Sequence, residues 1–217
     1  MIKITRPPEP DVLTQNCATW TAELLGHITN GTSVPDALAT RYRHPDIKAA
    51  LMTAAHEKCV YCESKQRHVA HGDIEHLKPK SRYRNETFTW DNLAFVCRVC
   101  NQLKSDTYDP ACPPLNPFVD DPTTHLVTAG TLIYGKAGDN RGQLTAALVH
   151  LNRAELLERR KEKIDALYQL VDRASRAPAA IQGILKAEME RLVADDQEYS
   201  MILKAALTQF RGELNIA

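Results

Sequence analysis

The chain has 217 residues, 43% of them hydrophobic and 25% charged, with 27 Lys+Arg set against 27 Asp+Glu. That composition is globular, too apolar for a disordered chain, and it contains no apolar run long enough to span a bilayer. A formal charge of zero argues against gripping nucleic acid by global electrostatics, so any basic surface is local or a partner supplies the grip.

The first ten residues, Met1 to Pro10, have no apolar stretch of signal-peptide type, and residues 1–17 are expected to form an extended arm. Six cysteines without such a signal point to thiols and metal in the cytoplasm rather than a disulfide framework. Ala18 to Ile28 predicts a helix with Trp20, Leu24 and Ile28 on one face, ended by Asn30-Gly31. A second short helix is expected from Pro35-Asp36 toward Tyr42. Pro45 and Asp46 suit the first turn of a third, with Ile47, Leu51 and Ala54 in register, running into Cys59.

Arg67 to Leu77 reads as extended, anchored by Val69 and Ile74, and residues 78–90 as a basic loop closed by Phe88 and Trp90. A short helix is expected from Asn101 to Ser105. The five prolines from Pro110 to Pro122 suggest a rigid surface connector, and Thr131 to Tyr134 a strand before a Gly-rich turn. From about Asn152 the chain is helical: Leu157, Ile164, Leu167 and Val171 share a face, with residues 159–163 largely elsewhere. Pro178 opens a second helix carrying Ile181, Leu185 and Leu192, and Tyr199, Ile202, Ala206 and Phe210 mark a third.

Chemistry concentrates between residues 59 and 104. Cys59-x-x-Cys62 and Cys97-x-x-Cys100 have the spacing at which paired thiolates from tight turns meet one metal, in a closed four-sulfur site of structural type. Unrelated buried cysteines or a redox pair are the alternatives, and Cys17 and Cys112 lie outside the pattern. Between the pairs stand Asp73, Glu75 and His76. In an extended segment Asp73 and Glu75 share one face and His76 the other, unless the strand ends there. A carboxylate beside a neutral imidazole suits phosphodiester hydrolysis: Glu75 holds a divalent cation, His76 takes a proton from water, and Asn101 adds a neutral oxygen. Oxygen ligands favour Mg2+ or Mn2+ over zinc. Asp73 reads as a supporting or merely solvated residue, Asn92 as a tie between loop and backbone, and His68 and His71 as surface residues near phosphate. Lys78, Lys80, Arg82, Arg84 and Lys104, with only Glu86 and Asp91 against them, form the expected nucleic-acid contact set.

These residues resemble the HNH endonucleases, a ββα-metal group framed by two zinc knuckles. The matching pattern is Cys59, Cys62, Glu75-His76 followed by Pro79, Asn92-Leu93, Cys97, Cys100, Asn101 and Lys104. The resemblance implies His76 as general base, Glu75 and Asn101 as catalytic-metal ligands, Asn92 as the residue orienting the histidine loop, and a structural Zn2+. Asn101 stands where the family often has histidine, which leaves the metal preference open. Further matches are His44 to Leu51, Glu63 after the knuckle, Glu75 to Ser81, Asn116-Pro117-Phe118, Asp121-Pro122 and Leu151-Asn152-Arg153 with Arg159. They are similar to the nuclease subunit of Septu-type anti-phage systems, which implies an ABC/SMC-like ATPase as partner; the expected substrate is nucleic acid, DNA ahead of RNA, with the choice between them left open.

The expected fold is α+β: an N-terminal arm and helices over 1–55, the HNH core with its knuckles over 56–109, and a linker with a helical region over 110–217. Those last helices could dock a partner or simply pack on the core. A stand-alone restriction-type HNH nuclease and a non-catalytic zinc-stabilised binding or scaffold module are the competing functions.

Overall fold

The protein is described from a computed structural model over residues 1–65 and 72–214. The expectations for Arg67, His68, Val69 and His71 lie outside the described residues.

Helix α1 runs from Asp11 to Thr29, α2 from Asp36 to Ala39 and α3 from Pro45 to Ala54. A hairpin-like pair follows, β1 (Asp73–His76) with β2 (Leu93–Val96), and α4 (Arg98–Lys104) continues directly from β2. The pairing is antiparallel, Asp73 opposite Val96 and His76 opposite Leu93. Helix α5 (Pro122–His125) leads into a second hairpin, β3 (Leu126–Ala129) and β4 (Leu132–Gly135), covered by α6 (Asn140–Leu148). Helices α7 (Ala154–Ser175), α8 (Ala179–Val193) and α9 (Ser200–Leu214) pack together as a bundle. The fold is therefore α+β, with a small two-strand, one-helix centre and helical flanks.

The N-terminal arm is shorter and better packed than its prolines suggest. Met1, Ile2 and Ile4 are buried, and α1 starts at once after Pro10, with Asp11 in its first turn. Arg6 explains the packing. Its guanidinium lies 3.7 Å over the Phe118 ring and donates to the carbonyls of Trp90 and Leu93, so the arm braces the entry to β2. On the expected α1 face Leu24 is buried and Trp20 meets Phe88 edge-on, but Ile28 is exposed.

Among the described residues two apolar clusters form. The larger joins Met1, the helices before Cys59, the β1–β2 core, Leu115, Phe118, the second hairpin, Leu156 and the start of α9; the smaller lies inside the α7–α9 bundle. The larger cluster draws residues from both sides of positions 55 and 109. The proline-rich connector is likewise no mere surface strap, because Leu115 is fully buried. Arg160, expected on a polar helix face, is also fully buried and donates to the carbonyls of Leu151 and Thr131. Only its Nη1 is so paired: Nε and Nη2 are buried without a hydrogen-bond partner among the described residues, and the guanidinium carbon lies 5.7 Å from the Tyr199 ring centre.

Beneath the bundle, the Glu63 carboxylate accepts from Ser200 Oγ (3.1 Å), pairs with the Met1 amino group, and lies 3.6 Å from Lys58 Nζ. Burial pushes its pKa up, but those cations hold it below the usual carboxylate range. No helix among the described residues is long and apolar enough to cross a membrane.

Candidate functional site

The chain enters the site through a tight reversal. His56 and Glu57 both take positive φ (51° and 61°) after α3, and Cys59 then opens a turn closed by Glu63 N donating to Cys59 O at 2.9 Å. Val60 N donates to Phe95 O, which ties this turn to β2. The second turn forms where β2 becomes α4: Cys97 is the N-cap, its Sγ accepting from Cys100 N at 3.3 Å. The two turns bring Cys59, Cys62, Cys97 and Cys100 together, all buried, with their sulfurs within 4.8 Å of one another. Such a group can hold a metal ion. Arg153 completes it from outside, placing its guanidinium 3.7 Å from Cys100 Sγ and 4.0 Å from Cys97 Sγ. Burial opposes the Arg153 charge, but the neighbouring sulfurs raise its pKa above the usual value. Cys17 and Cys112 lie apart from this group.

A cleft of about 470 Å³ opens beside β1, and its walls include Asp73, Glu75, His76 and Asn101. Strand alternation sets their roles. Asp73 and Glu75, two apart, both point to α4: Asn101 Nδ2 donates to Asp73 Oδ2 at 3.0 Å, and Lys104 Nζ to Glu75 Oε1 at 2.6 Å. Asn101 and Lys104 are three apart, one helix face. The strand enters the cleft through Gly72, whose φ is +57° and where a Cβ would stand 2.4 Å from the Phe95 ring.

His76 turns the other way, and it is 6% exposed. Its Nε2 lies 2.9 Å from Thr87 O, and because a carbonyl only accepts, Nε2 carries the proton and Nδ1 keeps its lone pair. Burial, chiefly, together with Lys80, Lys104 and Arg43, lowers its pKa to about 4, although the Thr87 bond works against the shift. The imidazole is therefore neutral at pH 7. Burial also raises the Glu75 pKa, and Lys104 only partly offsets it.

Asn92 closes the loop that carries these groups. Its Oδ1 accepts from Lys78 N at 2.7 Å, and its Nδ2 donates to the carbonyls of Lys78 and Glu86 at 3.0 and 3.1 Å. The carboxamide thus ties both ends of residues 78–86 to the strand that follows.

The basic set divides. Lys80 lines the cleft beside His76, whereas Lys78 pairs with Glu86 at 2.9 Å and faces a different cavity. Arg82 is exposed, but it donates to the carbonyls of Asp106 and Tyr108, and Arg84 is exposed outside the cleft. Lys104 is the correction. It is fully buried, with its ammonium on Glu75 and on His76 O at 3.0 Å, so it has no surface to offer a phosphate. Sequence charge counts cannot separate a solvated lysine from one folded beneath a carboxylate. Tyr42, Arg43 and Lys48 also line the cleft, and sequence reasoning passed over them. Their signal was the aromatic residue set between two arginines in Arg41-Tyr42-Arg43.

Comparison with known proteins gives two findings. Residues 59–107 match the family model described as HNH endonuclease. The chain is also similar to the Septu protein PtuB of Bacillus thuringiensis, 34% identical over 158 residues, which is 72% of this chain and 57% of that protein. It thus spans little more than half the length of that relative.

Proposed function

From the premise that residues 59–107 belong to the HNH endonuclease family, we propose that this chain is a metal-dependent endonuclease that hydrolyses phosphodiester bonds of DNA. The observation that carries the reading is a neutral histidine, His76, with Nδ1 unprotonated, in one cleft with Asp73, Glu75 and Asn101.

In this reading His76 Nδ1 takes a proton from the attacking water as its oxygen forms the new bond to phosphorus, and the 3′ or 5′ oxygen leaves as the old bond breaks. The Thr87 carbonyl keeps the ring in the competent tautomer. Glu75 and Asn101, the latter bonded to Asp73 through its Nδ2, would hold a hard divalent cation, Mg2+ or Mn2+, an oxygen set that suits either. When bound, that ion supplies charge stabilisation at the phosphate. Lys104 holds the Glu75 carboxylate in place, and Asn92 holds the loop from which His76 is anchored.

For the four cysteines the proposed ion is zinc. Cys62 and Cys97 stand 3.8 Å apart, and zinc–sulfur bonds of ~2.3 Å in a tetrahedron call for an edge of about that length. The site is closed and structural.

The similarity to the Septu protein supports an effector role in bacterial anti-phage defence, in the cytoplasm, beside an ABC/SMC-like ATPase. A net-neutral chain fits a nuclease whose hold on DNA is completed by a partner. The test is cleavage of supercoiled plasmid with Mg2+ or Mn2+, with and without an added ABC/SMC-like ATPase partner. Magnesium-dependent nicking that the ATPase alters supports both parts. Nicking indifferent to the ATPase removes the partner and leaves the nuclease.

A further inference from the structure

The cleft carries charges of both signs. Its lining holds the carboxylates of Asp73, Glu75 and Asp106 together with Arg43, Lys48 and Lys80; Arg43 and Lys80 lie against the Tyr42 ring, whereas Lys48 Nζ donates to Gly72 O at 2.9 Å, next to Asp73. A phosphodiester approaching the carboxylates alone would be repelled, so productive binding needs positive charge in the same cleft.

We propose that the Tyr42-Arg43 step, which lies outside the matched HNH segment, is the phosphate-holding wall of this cleft. Arg43 contacts the DNA backbone beside the bond that is cut, and Tyr42 is a positioning residue for His76 and Lys80. This rests on the nuclease reading above.

The local structure sorts the two arginines that flank Tyr42. In the short 3-10 turn Arg41–Arg43, Tyr42 points inward and is 3% exposed. Arg41 is anchored to α1, paired with Glu23 and lying 5.6 Å over the Trp20 ring. Arg43 is exposed at the cleft; its backbone N donates to Thr40 O, but its guanidinium makes no hydrogen bond or ion pair among the described residues, and its one contact of note is the Tyr42 ring, 5.5 Å away. An uncommitted guanidinium on a fixed turn suits a phosphate, since its planar fork can donate two bonds at once.

Tyr42 reaches both other groups. Its ring meets the His76 imidazole edge-on, centroids 4.5 Å apart at 73°, and its hydroxyl accepts from Lys80 Nζ at 3.0 Å. The Thr87 bond alone leaves the imidazole free to rock about Nε2. The Tyr42 ring removes that freedom and directs Nδ1 to one place, which matters because small displacements of a base cost rate.

The test uses the 217-residue chain with a labelled DNA duplex, Ca2+ in place of Mg2+ to prevent turnover, and a salt titration of binding, beside cleavage kinetics in Mg2+. Arg43→Ala should lower the slope of log K against log salt by about 0.9, one phosphate contact. It should raise KM with less effect on kcat. Tyr42→Phe, which keeps the ring and loses the hydroxyl, should keep kcat and raise KM. Tyr42→Ala should lower kcat by on the order of 10²-fold. An Arg43→Ala chain with the wild-type slope overturns the proposal, as does a folded Tyr42→Ala chain with wild-type kcat. Because Arg43 is exposed, its variant decides the matter even if Tyr42→Ala unfolds. A wild type that binds no duplex, either alone or with an ABC/SMC-like ATPase partner present, also overturns the proposal. If the slope falls as expected but wild type never cuts, the phosphate wall stands and the nuclease reading fails.

Discussion

Lys104 Nζ and Glu75 Oε1 lie 2.6 Å apart, with side chains only 1% and 9% exposed. A helix residue and a strand residue thus form an interior ion pair directly under the cleft. Breaking one half of such a pair leaves a buried charge without a partner. Lys104→Met is expected to cost about 3–5 kcal/mol in urea unfolding. The Lys104→Met/Glu75→Gln double variant should recover much of it, while remaining inactive in the plasmid assay. Equal stability of the single variant and wild type would show the pair to be incidental.

His76 links the site to pH. Its pKa falls from 6.5 in a free chain to about 4 when folded, chiefly through burial, so between these values the unfolded chain binds more protons. Stability contributed by the neutral ring is complete above pH 6.5 and declines as pH drops through about 4, a difference worth roughly 3 kcal/mol at the acid end. Thermal melts of wild type and His76→Asn across that window should converge toward low pH. Parallel curves would mean that His76 is not the titrating group.

Asn92 satisfies three backbone groups through one amide. Asn92→Ala should lower stability by about 1–3 kcal/mol through those unmet groups. It should also reduce kcat more than KM, since the residue touches the loop and not the substrate. Leucine at the same position fills the space without the bonds and should behave like alanine; full activity in either would remove the loop-holding role.

For the four-sulfur group, Cys97→Ser should release one equivalent of zinc, measured by elemental analysis, and lower the melting temperature broadly, since a closed site contributes folding energy. Unchanged zinc and melting would refute a structural ion there.

Short-range patterns made much of this legible. The paired cysteines found each other because each pair needs only a local turn, and strand alternation placed Asp73 and Glu75 on one face with His76 on the other. Tertiary accidents of depth were not legible. Lys104, Arg160 and Leu115 read as surface residues because a lysine, an arginine or a proline-flanked leucine gives no sign of what folds over it. Tyr42 and Arg43 escaped for a related reason: over thirty residues separate them from His76 in sequence, and only the packing of α3 against β2 brings their turn to the cleft.

The most direct measurement is plasmid nicking in Mg2+ or Mn2+ by wild type and by His76→Ala, prepared identically and matched for zinc content and melting temperature. The account expects nicking by wild type, loss of at least 10²-fold in the variant, and no change in zinc. Equal nicking by both chains, or loss of zinc with the histidine, would contradict it.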